Sequence, residues 1–213
     1  MTPVQLLLMA KAPVPGLVKT RLCPPCTPEQ AAAVAAASLA DTVDTLAATP
    51  AVRRTLVLSG RIAVPDGWDI VTQRGVGLGE RLANAYADAA WLGLAQILVG
   101  MDTPQLPSAL LADAGERLCR DGVDAVLGLA HDGGWWALGL HDHHAASVLR
   151  TVPMSTSDTG ERTLLALRAR GMRVELLPIL RDVDTADDAH AVAALCPDTR
   201  FADAVHAHVG VRV

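Results

Sequence analysis

Three cations fall close together near the start of this chain, in Met9-Ala-Lys-Ala-Pro-Val-Pro-Gly-Leu-Val-Lys-Thr-Arg-Leu22. Lys11, Lys19 and Arg21 share the stretch with two prolines, which stiffen it, and with Gly16, which allows a turn or a close backbone approach to a ligand. Fixed cations on a stiff loop are suited to holding phosphate groups. Farther along, single aspartates stand where metal chemistry would need them. Asp102 sits in Gly100-Met-Asp-Thr-Pro104, and Asp182 and Asp184 alternate in Arg181-Asp-Val-Asp184. Alternate residues of an extended segment point the same way, so this pair can present two carboxylates to one site. Mg²⁺ typically takes one or two carboxylates together with substrate phosphates. Asp102 with Asp184 would supply that if their two strand ends meet.

These residues need elements to carry them. Val4 to Met9 is an apolar run that reads as a buried first strand, so the cationic stretch is the loop to the first helix. That helix starts at Thr27-Pro28-Glu29-Gln30, which combines an N-cap, proline at the first helical position and Gln at the third, and it runs to about Ala48. Short strands are expected at Thr55 to Leu58 and Asp69 to Thr72. Gln73-Arg-Gly-Val-Gly-Leu-Gly79 then leads into a helix from Leu78 to about Leu94. Gln96 to Val99 is a strand that runs directly into Asp102, and a helix from Ser108 to Arg120 follows. Asp124 to Leu129 is another strand. His131-Asp-Gly-Gly134 is a turn, and Trp135 to Leu140 is a strand again. Asp158 opens a helix to about Arg170, Arg173 to Leu177 is a strand, and Thr185-Ala-Asp-Asp188 starts a helix to about Cys196. The tail from Phe201 is ambiguous between helix and strand. Alternation of strands and helices implies an α/β fold with a mostly parallel sheet and helices on both faces. The strand at Trp135 has no helix before it and is expected to be antiparallel. The absence of a linker or repeat points to one domain over residues 1–213. Loops at the carboxyl ends of parallel strands are where such folds bind phosphorylated ligands.

Composition narrows the function. The chain has 213 residues, 51% of them hydrophobic, with one Phe, one Tyr and four Trp, so its core must be Leu, Val and Ala. The net charge of −5 argues against a general nucleic-acid footprint. No apolar run reads as a membrane span or signal peptide, which points to a cytoplasmic protein. Four cysteines do not make a disulfide framework in a chain this long, and Cys23-Pro-Pro-Cys26 lacks a second pair with zinc spacing. His141-Asp-His-His144 reads as a polar turn. Gly75, Gly77 and Gly79 lack the spacing of a dinucleotide fingerprint.

The first loop, Gly100-Met-Asp-Thr-Pro104, Asp132-Gly-Gly134 and Asp182-Val-Asp-Thr185, in that order, resemble the glycosyltransferase-A, or nucleotide-diphospho-sugar transferase, superfamily. Within it the chain resembles the bacterial DUF2064 family, the radical-SAM-associated transferases, some of which are named arsenosugar-biosynthesis glycosyltransferases. The first loop and helix also resemble the phospholactate guanylyltransferases. The resemblance spans residues 4 to about 196. It implies a Rossmann-like three-layer α/β/α domain whose first loop wraps nucleotide phosphates, with contacts from Lys11, Gly16, Lys19 and Arg21. Gln73, Gly77 and Gly79 fall in the region that meets base or ribose. Asp102 and Asp184 match metal-binding positions for Mg²⁺ or Mn²⁺. Asp132, Gly133, Gly134 and Trp135 match the turn that faces the acceptor. Trp135 and Trp136 replace a more usual Tyr and aliphatic pair, and Cys23 and Cys26 stand where aliphatic residues or proline are commoner.

Nucleotidyl and glycosyl transfer both develop negative charge on a phosphate leaving group, which a divalent metal and fixed cations stabilise. The first expectation is nucleotidyl transfer from a nucleoside triphosphate to a small phosphorylated acceptor, with Lys19, Arg21 and Asp102 as the catalytic groups. The alternatives are a glycosyltransferase using a nucleotide-sugar, and a binding module without turnover. Base, sugar and acceptor stay open, and the Ala-rich faces leave room for a homodimer.

Overall fold

The computed structural model describes residues 3–210. Seven strands form one sheet: β1 (Val4–Lys11), β2 (Arg53–Ser59), β3 (Asp69–Thr72), β4 (Ala95–Gly100), β5 (Ala125–Ala130), β6 (Trp135–Leu140) and β7 (Val174–Leu180). Their spatial order is β3-β2-β1-β4-β6-β5-β7. β6 runs antiparallel to both β4 and β5, and the other pairs are parallel. The antiparallel strand is the one expected from its missing crossover helix. β4 and β5 are joined through a helix, whereas β5 and β6 meet through the short turn at Asp132 to Gly134, which can only reverse direction.

Six α-helices cover the sheet: α1 (Pro28–Ala48), α2 (Leu78–Ala89), α3 (Ser108–Leu118), α4 (Thr159–Ala169), α5 (Ala186–Ala193) and α6 (Arg200–His208). Successive residues of β1 show how the sheet feeds two layers. Leu6 and Leu8 pack in a core with Ala35, Leu39 and Leu111, while Leu7 points to the opposite face and packs with Leu82 and Tyr86. A third cluster binds α1 to α5 and α6 through Val34, Val192, Phe201 and Val205.

The helix starts form as their residues dictate. Thr27 and Gln30 make a reciprocal capping box, as do Thr185 and Asp188. At the other end of α1, the Arg54 guanidinium donates to the Leu46 and Thr49 carbonyls at 2.7 and 2.5 Å, satisfying acceptors the last turn leaves free. α1 is long and apolar enough by composition to cross a membrane, although no such run was expected. Its apolarity is largely alanine, and half of it is buried within the protein.

Two elements differ from expectation, and a third that the sequence left open is settled. α2 stops at Ala89, because Trp91 and Leu92 are exposed and Gly93 adopts a positive φ. The segment after the histidines is a 3-10 helix, His143–Arg150, capped by Asp142 and buried through Ala145, Ala146, Val148 and Leu149. The tail is helical because Thr199 caps it and Phe201, Ala202 and Val205 share its buried face.

Candidate functional site

The carboxyl ends of β1, β4 and β5 open on one side of the sheet, and the residues singled out above collect there. The first loop leaves β1, turns at Gly16 (φ 76°) and reaches Lys19, which adopts a left-handed backbone with φ 47°. Non-glycine residues rarely adopt this conformation, and it concentrates at functional sites. It carries the Lys19 ammonium inward, so that the side chain is only 7% exposed and lies 2.5 Å from Asp102 Oδ1. The same ammonium donates to the Val183 carbonyl. Arg21 donates to Asp184 Oδ2 at 2.7 Å. Lys11 donates to the Leu17 carbonyl at 2.6 Å. Lys11, Lys19, Arg21, Asp102 and Asp184 line one cavity of about 270 Å³.

The strand ends that carry the aspartates do meet. Val183 N donates to the Asp102 carbonyl at 2.9 Å, joining the β4 end to the segment after β7. Asp184 lies in a tight group with Asp182 and Asp132, each offering a carboxylate oxygen within 4.8 Å of the others. Burial, followed by the facing charge of Asp132, pushes the Asp182 carboxyl up to about 6. Carboxylate oxygens crowded this way suit a hard divalent cation such as Mg²⁺ or Mn²⁺. The residues present therefore fit such an ion.

A second cavity, of about 230 Å³, lies alongside. Its walls are largely apolar, with Leu78, Leu82, Met154 and Trp135, and Asp102, Thr103, Asp132 and Asp182 also line it. Gly134 belongs to this lining, and its N–H donates to Asp132 Oδ1 at 2.7 Å. Gly133 (φ 89°) is locked below Ser157, so close that a Cβ there would lie 1.9 Å from the Ser157 carbonyl oxygen. Arg21, Asp132, Ser155, Thr156, Ser157 and Asp184 line a further recess that shares residues with both cavities.

The remaining expected residues are placed differently. Gln73 Nε2 is committed to the Ala10 and Val57 carbonyls, at 2.7 and 3.0 Å, and so ties β1 to β2, leaving only its oxygen for a ligand. Gly77 is the N-cap of α2 with φ 81°, and it lines neither cavity. Gly79 is buried where α2 crosses the 3-10 helix, and a Cβ there would meet the Leu149 carbonyl oxygen at 2.2 Å. Trp136 is buried with its indole N–H on the Pro178 carbonyl at 3.0 Å, and it lines the apolar cavity together with Trp135. Thr103, Met154 and Thr156 are cavity residues that sequence reasoning did not single out. Only the neighbouring Asp102 marked Thr103.

Residues 31–156 match the sequence profile of the family described as "Uncharacterized protein conserved in bacteria (DUF2064)". The chain belongs to this family. No protein of curated function matches it. Among solved structures, this DUF2064 protein is similar to one from Desulfovibrio desulfuricans G20 provisionally named a nucleotide-diphospho-sugar transferase. The two are 26% identical, with a TM-score of 0.86 over 97% of this chain and 95% of the other. Rv0371C from Mycobacterium tuberculosis H37Rv, in complex with manganese, is 18% identical with a TM-score of 0.54, over 90% of this chain and 98% of that one. CMP:2-keto-3-deoxy-manno-octonic acid synthetase complexed with CTP is 10% identical with a TM-score of 0.58, over 91% and 98%. The last two likenesses show the fold alone. The DUF2064 chain thus has the glycosyltransferase-A-like architecture that its motifs implied.

Proposed function

We propose that this protein is a divalent-metal-dependent transferase that acts on a nucleotide-activated donor, and that it moves a nucleoside monophosphate from a triphosphate to a small phosphorylated acceptor. The observation that carries the reading is the convergence of Lys11, Lys19 and Arg21 with Asp102 and Asp184 on one cavity, although they come from opposite ends of the chain. Lys19 and Arg21 neutralise the β- and γ-phosphates that leave as pyrophosphate. Asp102 and Asp184 would hold the metal, with Asp132 and Asp182, which group with Asp184 but not with Asp102, as further carboxylates for it. When bound there, a divalent ion adds Lewis-acid stabilisation of the same oxygens. The acceptor phosphate lies in the recess below Arg21, near Ser155, Thr156 and Ser157. Names of similar proteins support the class: one is provisionally a nucleotide-diphospho-sugar transferase, one was crystallised with manganese and one with CTP.

One observation favours glycosyl transfer as the second reading. No Lys, Arg or His lines the apolar cavity among the described residues, so its inner end suits an uncharged hydroxyl acceptor. A thermal-shift panel of nucleoside triphosphates, diphosphates and nucleotide-sugars, with Mg²⁺ or Mn²⁺, separates the two. A ligand that binds only the folded state raises Tm with the logarithm of its excess over Kd. A metal-dependent rise with one triphosphate, lost in Asp102→Ala, supports nucleotidyl transfer. A larger rise with a nucleotide-sugar moves the reading to glycosyl transfer, and no rise with any nucleotide overturns both.

A further inference from the structure

Thr103 follows Asp102 and is 2% exposed, yet its hydroxyl Oγ1 has no hydrogen-bond partner among the described residues. Its place is set by its neighbours. Ser38 Oγ holds the Met101 carbonyl at 2.6 Å, Val183 N holds the Asp102 carbonyl at 2.9 Å, and Leu106 N holds the Thr103 carbonyl at 3.0 Å. A β-branched side chain on a pinned backbone has little rotamer freedom with which to find a partner. Buried hydroxyls without a partner are uncommon and costly, and those in a native cavity call for a ligand or water. Thr103 lines the apolar cavity, whose walls supply Trp135, Met154, Leu78 and Leu82 and no cationic group. The charges that do face it are the carboxylates of Asp102, Asp132 and Asp182, of which Asp102 is already paired with Lys19.

We infer that this cavity takes the uncharged, hydroxyl-bearing ring of the acceptor, a sugar-like group with one apolar face, and that Thr103 Oγ1 selects it by a hydrogen bond to one ring hydroxyl. The inference rests on the reading of the cavity as the acceptor side. Indole and aliphatic side chains cover the C–H face of such a ring, and the buried hydroxyl discriminates against a ring that lacks the matching group. An anionic substituent on a ring held in the cavity would be desolvated against leucine with no cationic side chain of the lining to pair it, which is an element of specificity.

Ligand-observed saturation-transfer NMR tests this in the presence of Mg²⁺, with the methyl glycosides of glucose, galactose and mannose and myo-inositol as neutral probes. Glucuronate, whose carboxylate is carried on the ring itself, is the anionic probe. At least one neutral probe is expected to bind, and glucuronate to bind more weakly or not at all. Thr103→Val keeps the shape and is expected to weaken the neutral probe by about three- to tenfold, the usual weight of one hydrogen bond, with Thr103→Ser restoring it. Because the hydroxyl has no protein partner, Thr103→Val is also expected to melt no lower than wild type. Absence of any neutral binder, equal binding of glucuronate, or a Thr103→Val protein that binds unchanged would overturn the inference. If Thr103→Val does not fold, the hydroxyl is structural and the selection role is lost, while the neutral-against-anionic comparison is still read on wild type. A triphosphate-dependent Tm rise without neutral-probe binding sinks this inference alone. Probe binding without any nucleotide response sinks the donor reading alone.

Discussion

Asp182→Asn tests the electrostatics of the site without needing a substrate. The Asp182 carboxyl is pushed from 3.8 to about 6 by its own burial first, then by Asp132 across the cluster. The unfolded chain ionises it near 3.8, so between about pH 4 and 6 the folded protein binds more protons and stability falls as pH rises. Above pH 6 the loss is constant. Each tenfold change in proton affinity is about 1.4 kcal/mol, so the rise corresponds to at most about 3 kcal/mol. The group is partly exposed, and solvent screening brings the working figure to about 1–2 kcal/mol. A chain of this length gains about 2–4 °C in Tm per kcal/mol. In EDTA, calorimetry should therefore show Asp182→Asn and wild type melting together near pH 4, with the variant roughly 2–8 °C higher above pH 7. Other titrating groups cancel in the difference. Addition of Mn²⁺ at pH 7.5 should narrow or reverse the gap, because only wild type retains the third carboxylate. A variant that melts lower than wild type at pH 7.5 in EDTA, or a difference that does not change with pH, would refute the account of Asp182 as a charge held at a cost.

Three further changes probe separate parts of the argument. Lys19→Ala should weaken triphosphate binding about tenfold or more, since it removes a charge-assisted contact, while Arg53→Ala, whose guanidinium pairs with Asp69 on the far edge of the sheet, should leave it unchanged; isothermal titration with Mn²⁺ and the shifting triphosphate reads both. Gly133→Ala drives a Cβ to 1.9 Å from the Ser157 carbonyl oxygen at positive φ, and should cost about 3 kcal/mol or more in urea unfolding. Asp41→Ala should cost about 2–3 kcal/mol by the same measurement with an unchanged m-value. It strands the Phe201 N–H, which Asp41 accepts at 2.7 Å, and unlinks α1 from the start of α6.

The sheet was legible because its strands are short Val- and Leu-rich runs closed by Gly, Pro or Asp, and β6 was legible as antiparallel because no helix precedes it. The capping residues at Thr27 and Thr185 marked two helix starts to the residue. Harder to read were elements whose identity depends on what covers them. The segment His143–Arg150 opens with a polar cluster that looks like a turn, and only the packing of Ala146 and Leu149 under α2 makes it a helix. Residues of the site were legible where charge and position coincide, as in Lys19, Arg21, Asp102 and Asp184. Alternation in the chain also pointed to Asp182 beside Asp184. Its grouping with Asp132 was not legible, since it needs β5 and β7 to be neighbours. Thr103 and Met154 carry no signal of their own, because a cavity exists only after four elements assemble around it.

The ion pairs in this site say something about the order of events. Lys19 sits on Asp102 and Arg21 on Asp184, so two of the three cations of the first loop are bound to carboxylates that would otherwise face a metal, while Lys11 donates to the Leu17 carbonyl. A phosphate arriving alone would have to displace a carboxylate, and a metal arriving alone would have to displace an ammonium or a guanidinium. Either one by itself leaves a partly buried charge unpaired, which is costly. If the proposed function holds, nucleotide and metal arriving together would exchange partners, with the phosphates on the cations and the metal on the carboxylates, so that no charge would be stranded. Such an arrangement couples the two affinities, and by linkage the coupling is reciprocal. Among the described residues Asp132 and Asp182 are the carboxylates of the cluster without a Lys or Arg salt bridge, and it is there that the raised proton affinity of the partly buried Asp182 is found.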